Sequence, residues 1–360
     1  MSLFMSSNDL PADVLRRLIK YGGDVGCLRP FVGDDGQSYI TLNVRGKSQT
    51  IVTNAPATLR KDEWTLLDQQ IIKVAKQRLR AWGHLMERGL RYNIPNGLAK
   101  TVLQYQNVSD ISAAEISMDG LRESQRDRPV FDLVNLPLPI IHKDFSYSAR
   151  ELLASHTTAN FMGGGPSSSI DTTTAELAAR RVAEEVEKLL LGTAGSYSFG
   201  GGTIYGYTNF PSRATKVMTA PTGSNPAATL ADVLAMRTQS QNMNHFGPWV
   251  LYVSTSWDAY LDNDYILTGG NVATQSLRNR LKMIEGIEDV VTLNYLPAKT
   301  MVLVQMTPEV VRGIVGMEIM TVDWSSFGGM QQNFKTMCIN VPQLRTDQVG
   351  NTGIVHGTHP

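Results

Sequence analysis

The stretch DTTTAELAARRVAEEVEKLLLG, residues 171–192, decides how the rest of the chain is read. Ala178, Val182, Val186, Leu189 and Leu190 recur at helical spacing and form one apolar stripe. Asp171 to Thr174 supply oxygens able to accept the first free amides of a helix. Glu176 with Arg180, and Glu184 with Lys188, add pairs one turn apart, each worth about 0.2–0.5 kcal/mol. Gly192 follows the last periodic residue, where a left-handed cap is expected. The acids Glu184, Glu185 and Glu187 sit among Arg180, Arg181 and Lys188, so they are read as a solvated, ion-paired helix face rather than as paired catalytic carboxylates.

Upstream, Phe161 to Ser169 with Gly163-Gly164-Gly165 reads as a flexible loop, and Arg150 to His156 as helical. Before these, Leu136-Pro137-Leu138-Pro139-Ile140-Ile141 leads into a strand reaching Phe145–Tyr147. Its two prolines exclude a central ladder position at those points. Residues 104–133 are polar, with Asp119-Gly120 as turn chemistry and the mixed-sign run Arg122-Glu123-Ser124-Gln125-Arg126-Asp127-Arg128, and they read as a long solvated hairpin. A short helical piece is expected over 97–103, after Ile94-Pro95-Asn96. A strong helix is expected from Asp62 to Trp82, with Trp64, Leu67, Ile71, Val74, Leu79 and Trp82 on one stripe. Residues 1–61 do not read as a compact domain. A short amphipathic helix over 9–21 ends at Gly22-Gly23, and a strand over 38–44 follows Asp34-Asp35-Gly36. With few large apolar residues of its own, the segment reads as an arm that must lie on something else.

Downstream, the glycine-rich stretch 195–206, with Gly200-Gly201-Gly202, reads as a flexible connection. Thr229 to Asp232 opens a helix to about Asn242, and Trp249-Val250-Leu251-Tyr252-Val253 is a buried-strand run. Helices are expected at 256–261 and 276–282, and strands at 290–293, 301–305, 310–322 and 334–341. The alternation lacks the regular period of a doubly wound sheet, so the class is α+β.

The 360 residues are 42% hydrophobic and 18% charged, below the roughly 25% charged typical of soluble domains. A surface buried against copies of itself needs less charge. With 33 basic and 33 acidic residues the formal net charge is zero, which excludes a dedicated duplex binder driven by basic excess and favours self-association. Cys27 and Cys338 are far apart, so a reducing compartment without a disulfide framework is expected. MSLFMSSNDL has no basic stretch and no apolar run approaches 18 residues, so neither signal peptide nor membrane span is expected.

Chemical motifs fail one by one. Arg45-Gly46-Lys47-Ser48 ends like a phosphate loop, but Thr41 stands where the upstream glycine must be, leaving a turn in the arm. Asp262-Asn263-Asp264 lacks the later glycine and glutamate of a calcium loop. The histidines (His84, His142, His156, His245, His356 and His359) contain no metal-binding spacing, and the last two lie in what reads as a terminal tail. No catalytic residue, cofactor or metal is expected, and no enzyme.

The order of these elements resembles tailed-bacteriophage major capsid proteins and the bacterial encapsulins that share their Hong Kong phage capsid fold. Glu63 to Leu79 resembles the early helix of that family, and Asn135 to Phe145 its Leu-Pro-Leu lead-in. Arg180 to Gly192 resembles the spine helix, and Tyr205-Gly206-Tyr207-Thr208-Asn209 the loop after it. Thr229 to Leu234, Gly247 to Ser254 and Trp257 resemble the start of the A-domain. The likeness covers roughly residues 60–345 and is strongest to the encapsulin branch. The arm segment Gly26 to Gly36 is similar to the phage type.

The resemblance implies an N-terminal arm at 1–61, a first P-domain part at 62–103, an E-loop at 104–134 and a P-domain with spine helix at 135–224. An A-domain at 225–320 and P-domain return strands with a C-terminal tail at 321–360 complete it. It implies a shell protein forming hexamers and pentamers around a double-stranded DNA genome, assembled in a host bacterial cytoplasm and residing in the virion. The alternative is an encapsulin compartment around an enzyme cargo. Portal, scaffolding and decoration or cement proteins are implied partners, with no membrane. Arg29, Phe31, Tyr39, Arg122, Glu123, Arg126, Asp127 and Arg128 are the expected inter-subunit contacts, and Arg16, Arg17 and Lys20 the expected genome-facing residues. Some family members weld subunits through an E-loop lysine. Residues 104–133 hold none, so no such crosslink is expected from that loop.

Overall fold

A computed structural model describes residues 31–33, 35–44, 47–53, 79–108, 131–151, 170–220, 226–266, 272–347 and 349–359, with Gln69, Ile116, Met118 and Arg128. In chain order, three strands come first: β1 (Phe31–Val32), β2 (Ser38–Val44) and β3 (Lys47–Val52). Helix α1 (Arg80–Glu87) precedes β4 (Arg91–Asn93), β5 (Val102–Val108), β6 (Phe131–Pro137) and β7 (Ile141–Ser148). The long helix α2 (Ile170–Leu191) is followed by β8 (Tyr197–Phe199), β9 (Gly202–Ile204) and β10 (Ala214–Val217). Next come α3 (Pro226–Asn242), β11 (Trp249–Ser254), α4 (Asp258–Asp262), β12 (Asp264–Ile266), β13 (Val272–Ser276) and α5 (Leu277–Lys282). Five strands end the chain: β14 (Ile287–Leu293), β15 (Thr300–Gln305), β16 (Val311–Ser326), β17 (Gln331–Leu344) and β18 (Ile354–Thr358).

The chain divides into two units, one of residues 1–78, 140–184 and 317–339, the other of 79–139, 185–316 and 340–360. In the first, β7 pairs antiparallel with β17, Phe145 opposite Phe334. These two rings stack at 5.2 Å and pack with Ala175 and Ala179 of α2, two alanines small enough to admit the rings. β1, β2 and β3 form their own antiparallel sheet, with Val44 opposite Lys47. Phe31 of that sheet packs on the Phe334 cluster, and Ile40 is fully buried. Residues 31–53 of the arm are therefore sheet, part of it seated on its own chain. The expectation that the arm must find all its cover elsewhere is corrected there. Phe31 and Ile40 are few, but they suffice because strand pairing satisfies the backbone first.

In the second unit a mixed five-stranded sheet runs β10-β18-β15-β11-β14. β11 is parallel to β14 and antiparallel to β15, and every residue of β11 and β15 is buried. A strand covered on both faces carries apolar residues at every position, which is why Trp249 to Val253 reads as an unbroken run. Trp249, Leu251 and Val253 point into one core with Val233 and Met236 of α3, Leu261 of α4 and Leu277 and Leu281 of α5. Tyr252 faces the opposite side, stacking on Tyr207 and His84. The last strand, β18, lies between β10 and β15 with Ile354 and Val355 fully buried. The terminal tail expected there is corrected over 354–358. Ile-Val flanked by glycine is too short to announce a strand, and cover from both neighbours makes one.

Other expectations shift locally. The 97–103 piece is a single 3-10 turn at Gly97–Ala99, and Leu103 lies in β5. Most of the 62–82 helix lies outside the described residues. Trp82, expected at its end, belongs to the first turn of α1, because Leu79 is non-helical (φ −83°, ψ 72°) and α1 runs on to Glu87. The Gly200 region is an ordered hairpin: Phe199 pairs with Gly202, and Gly200 and Gly201 take φ of 60° and 76°. Two consecutive positive φ angles are what a two-residue hairpin turn demands, and glycine adopts both at no steric cost. Gly163 to Gly165 and the helix expected at 9–21 lie outside the described residues, as does all of 150–156 beyond its first two residues.

Candidate self-association surface and the seat of the long helix

The expected hairpin at 104–133 is an antiparallel ribbon at its base. β5 and β6 pair in one register, from Val102 opposite Pro137 to Val108 opposite Phe131. Pro137 is tolerated because the ladder has two strands only, so the missing amide hydrogen costs nothing on the open side. Burial along β6 falls from Leu136 and Pro137, which are covered, to Phe131 and Leu133, which are exposed. The buried end is fixed in several ways. The Leu138 amide donates to the Thr101 carbonyl at 2.9 Å. The guanidinium of Arg345 lies 5.8 Å over the Tyr105 ring, a contact worth about 0.5–1 kcal/mol. The Asn135 side-chain amide donates to the Gly200 carbonyl at 2.9 Å. A Cβ on Gly202 would sit 2.0 Å from the Asn135 carbonyl oxygen, so glycine is what lets the β8–β9 hairpin lie against β6. Tyr197 and Phe199 of that hairpin are also exposed. The ribbon thus has a rigid root and an apolar, uncovered outer part.

The expected contact residues are distributed differently. Phe31 packs within its own chain, and Tyr39 stacks on it at 6.1 Å while its hydroxyl donates to Asp35 at 2.6 Å. That hydrogen bond, with the Gln37 amide, holds the Asp35 carboxyl below its ordinary value. Arg128 is exposed. Arg29, Arg122, Glu123, Arg126, Asp127, Arg16, Arg17 and Lys20 lie outside the described residues. Phe131 and Leu133, the large apolar groups uncovered on the ribbon, were missed in the sequence. Their signal is there: two big apolar residues alternating with Asp132 in a polar stretch.

The C-terminus of α2 leaves carbonyls without helical partners. The loop at 205–209 supplies them: the amides of Tyr207 and Thr208 donate to Leu190 and Leu191, and the Thr208 hydroxyl donates to Leu191 at 2.7 Å. Gly192 takes φ +85° as the expected left-handed cap. Gly206 passes so close that a Cβ there would lie 2.1 Å from the Gly192 nitrogen.

Two acidic residues of α2, Glu187 and Glu184, overturn the solvated-face expectation. Glu187 is buried, and its carboxylate accepts from the α1 amides of Ala81 at 2.7 Å and Trp82 at 3.1 Å. Burial pushes its pKa up to about 7, against the downward pull of those amides and of Arg80. Glu184 is also buried and pairs with Arg180 and Arg181, whereas Glu185 keeps the expected exposed position beside Lys188. A helical wheel cannot show that a second helix end sits on this one. Asp262, dismissed as a calcium ligand, pairs with Arg278, which also binds Asp258 at 2.6 Å. Among the described residues no cluster of three or more His, Cys, Asp or Glu is placed to hold a metal. No helix among them is long and apolar enough to cross a membrane.

Residues 54–357 match the model of a family of unknown function, DUF6260. The chain belongs to this family. No curated protein matches this DUF6260 member. Among solved structures it is similar to the virus-like particle protein of Pyrococcus furiosus, with 16% identity and a TM-score of 0.55 over 81% of this chain and 98% of that one. It is similar to the capsid of Myoviridae phage XM1, at 10% identity and a TM-score of 0.56 over 76% of this chain and 90% of the other. A chain of Mycobacterium phage Bobi matches at 11% identity and a TM-score of 0.54, covering 76% and 89%. At these identities the likeness is one of fold. The DUF6260 chain has the Hong Kong phage capsid fold, of class α+β.

Proposed function

We propose that this DUF6260 protein is a major capsid protein of a tailed phage, a structural subunit rather than an enzyme. Subunits meeting head to tail would close into hexamers and pentamers that tile an icosahedral head around double-stranded DNA. The observation that carries the reading is the likeness over 76% of the chain to the capsid of phage XM1. The ribbon of β5 and β6 supports it, since Phe131 and Leu133 stand uncovered on a root held rigid by Arg345 and Asn135. In this reading the segments keep the assignments given above: N-arm 1–61, E-loop 104–134, spine helix within 135–224 and A-domain 225–320. The sheet of the A-domain then draws its β10 and β18 from outside those bounds. Arg29, Phe31, Tyr39, Arg122, Glu123, Arg126, Asp127 and Arg128 are assigned to contacts with neighbouring copies, where charges set register more than affinity. Arg16, Arg17 and Lys20 are assigned to non-specific phosphate contact. Portal, scaffolding and decoration proteins belong to the same proposal, as does assembly in the host cytoplasm and residence in the virion.

The alternative is a compartment shell around a protein cargo, favoured by the match to 98% of the Pyrococcus furiosus particle chain. Electron microscopy of the purified full-length protein, with nuclease and mass analysis of the contents, separates the two. Closed heads, or DNA-filled particles from producing cells, support the phage reading. Smaller shells holding one enzyme species support the compartment. A stable monomer at high concentration refutes both.

A further inference from the structure

One end of the five-stranded sheet in the second unit gathers the starts of β11, β14 and β18 and the finish of β15. Trp249 stands opposite Ile287 and Gln305 there, and Val304 opposite Ile354. Three loops at this end carry a large apolar side chain: Phe246 before β11, Met283 before β14 and Val349 before β18, all between 59% and 79% exposed. Each loop is tied down. Gly247 and Gly286 both lie against the Trp249 ring, where an added Cβ would come within 2.9 Å and 2.6 Å. The Gly247 carbonyl accepts from the Gln305 side-chain amide at 3.2 Å, and the Gln305 backbone amide donates to the Gly353 carbonyl at 2.9 Å. The Asp347 carboxylate accepts from the Val349 amide at 3.0 Å and the Asn351 amide at 2.7 Å. Single exposed apolar residues are ordinary, but three held out on neighbouring loops mark an interaction site. The loops at the opposite end, 255–262 and 294–299, expose no large apolar residue.

Charge narrows what covers this end. Glu285 and Glu309 are exposed there, and the segments 243–248, 283–286, 306–310 and 346–351 contain no lysine or arginine. Arg237 lies 4.0 Å from Glu285 and over the Trp249 ring. Another bare apolar surface of the same unit is formed by Phe131 and Leu133. They alternate with Asp132, so both side chains leave one face of β6, and Arg128 is exposed three residues before them. We propose that a second copy of this chain covers the apolar end with its ribbon. Phe131 and Leu133 of one copy pack among Phe246, Met283 and Val349 of the next, and Arg128 meets the acids Glu285 and Glu309. A head-to-tail contact needs two unlike faces on every subunit, and these two match in apolarity and oppose in charge. Both stand on supports braced within their own chain, so docking orders little that is not already ordered. The contact rests on the capsid reading and gives it a specific joint: each copy donates a ribbon and receives one, which carries the contacts round a ring.

The test is a double-variant cycle on the concentration at which the full-length protein assembles, read by light scattering and electron microscopy. Phe246→Ser with Met283→Ser is expected to raise that concentration about ten- to a hundredfold, and to leave the melting temperature of the unassembled chain unchanged. Combined with Phe131→Ser and Leu133→Ser, it is expected to add little to the ribbon pair's own effect, because both pairs remove one contact. Assembly of the seat variant at the wild-type concentration overturns the proposal, and so do effects that multiply. Should the seat variant fail to fold, peroxide oxidation of Met283 in the wild-type protein decides, read by mass spectrometry before and after assembly. Protection in the particle supports the seat, and equal oxidation overturns it. A wild-type chain that never assembles refutes the capsid reading itself, whereas assembly without coupling refutes this contact alone.

Discussion

Replacing Phe131 and Leu133 together by serine removes the two large uncovered apolar side chains of β6 while leaving its buried root alone. The two residues are 60% and 61% exposed. An aromatic side chain buries about 150–250 Å² in all, so the exposed part of Phe131 offers about 90–150 Å² to a neighbour. At about 25 cal/mol per Å² that is about 2–4 kcal/mol. The same proportion of a leucine, worth about 1.5–3 kcal/mol when wholly buried, adds about 1–2 kcal/mol. If only half of this surface is covered at an interface, each contact still loses about 2–3 kcal/mol. A loss of about 3 kcal/mol weakens association roughly 100-fold, and a shell repeats the loss at every copy. The unassembled subunit loses no packed contact, so its own stability is expected to move by no more than about 0.5 kcal/mol. Light scattering and sedimentation across a dilution series measure the concentration at which particles appear, and thermal unfolding of the unassembled chain controls for the fold. A double variant that assembles at the wild-type concentration refutes the reasoning. A variant that melts much earlier refutes it differently, by showing that the two side chains belong to the chain's own core.

Two further predictions rest on single residues. Gly206→Ala places a Cβ 2.1 Å from the Gly192 nitrogen and 2.5 Å from the Leu189 carbonyl, atoms that cannot swing aside. A loss of about 1–3 kcal/mol is expected in denaturant unfolding, and unchanged stability would show that the 205–209 loop does not cap α2 at this distance. His356 in β18 is pushed down to about 4, first by burial and then by Arg213. The unfolded chain therefore binds the extra proton between about 6.5 and 4, so stability present above 6.5 is lost as pH falls through that interval. His356→Gln is expected to flatten the melting temperature across it, and an unaltered slope would place the dependence on other groups.

The apolar stripe and the C-terminal cap of the long helix were legible in the sequence. The stripe Ala178 to Leu190 and the cap at Gly192 are local properties, and burial follows the stripe along the described helix. So were β11 and β15, whose unbroken apolar runs mean cover on two faces wherever they lie. The polar stretch at 104–133 announced a ribbon, and the prolines of Leu-Pro-Leu-Pro announced that no central ladder position falls on them. These readings succeed because periodicity and backbone preference act within a few residues.

What the tertiary structure alone decided is partnership across sequence. Glu187 looks like its exposed neighbour Glu185, and only the arrival of the α1 amides, more than a hundred positions away in sequence, makes it a buried cap. Residues 354–358 look like a tail until β10 and β15 bracket them. Phe31 looks wholly uncovered until the stacked pair of Phe145 and Phe334 covers part of it at home. In each case the residue's own chemistry leaves two environments open. The choice is made by a surface contributed from far along the chain, which no local pattern encodes.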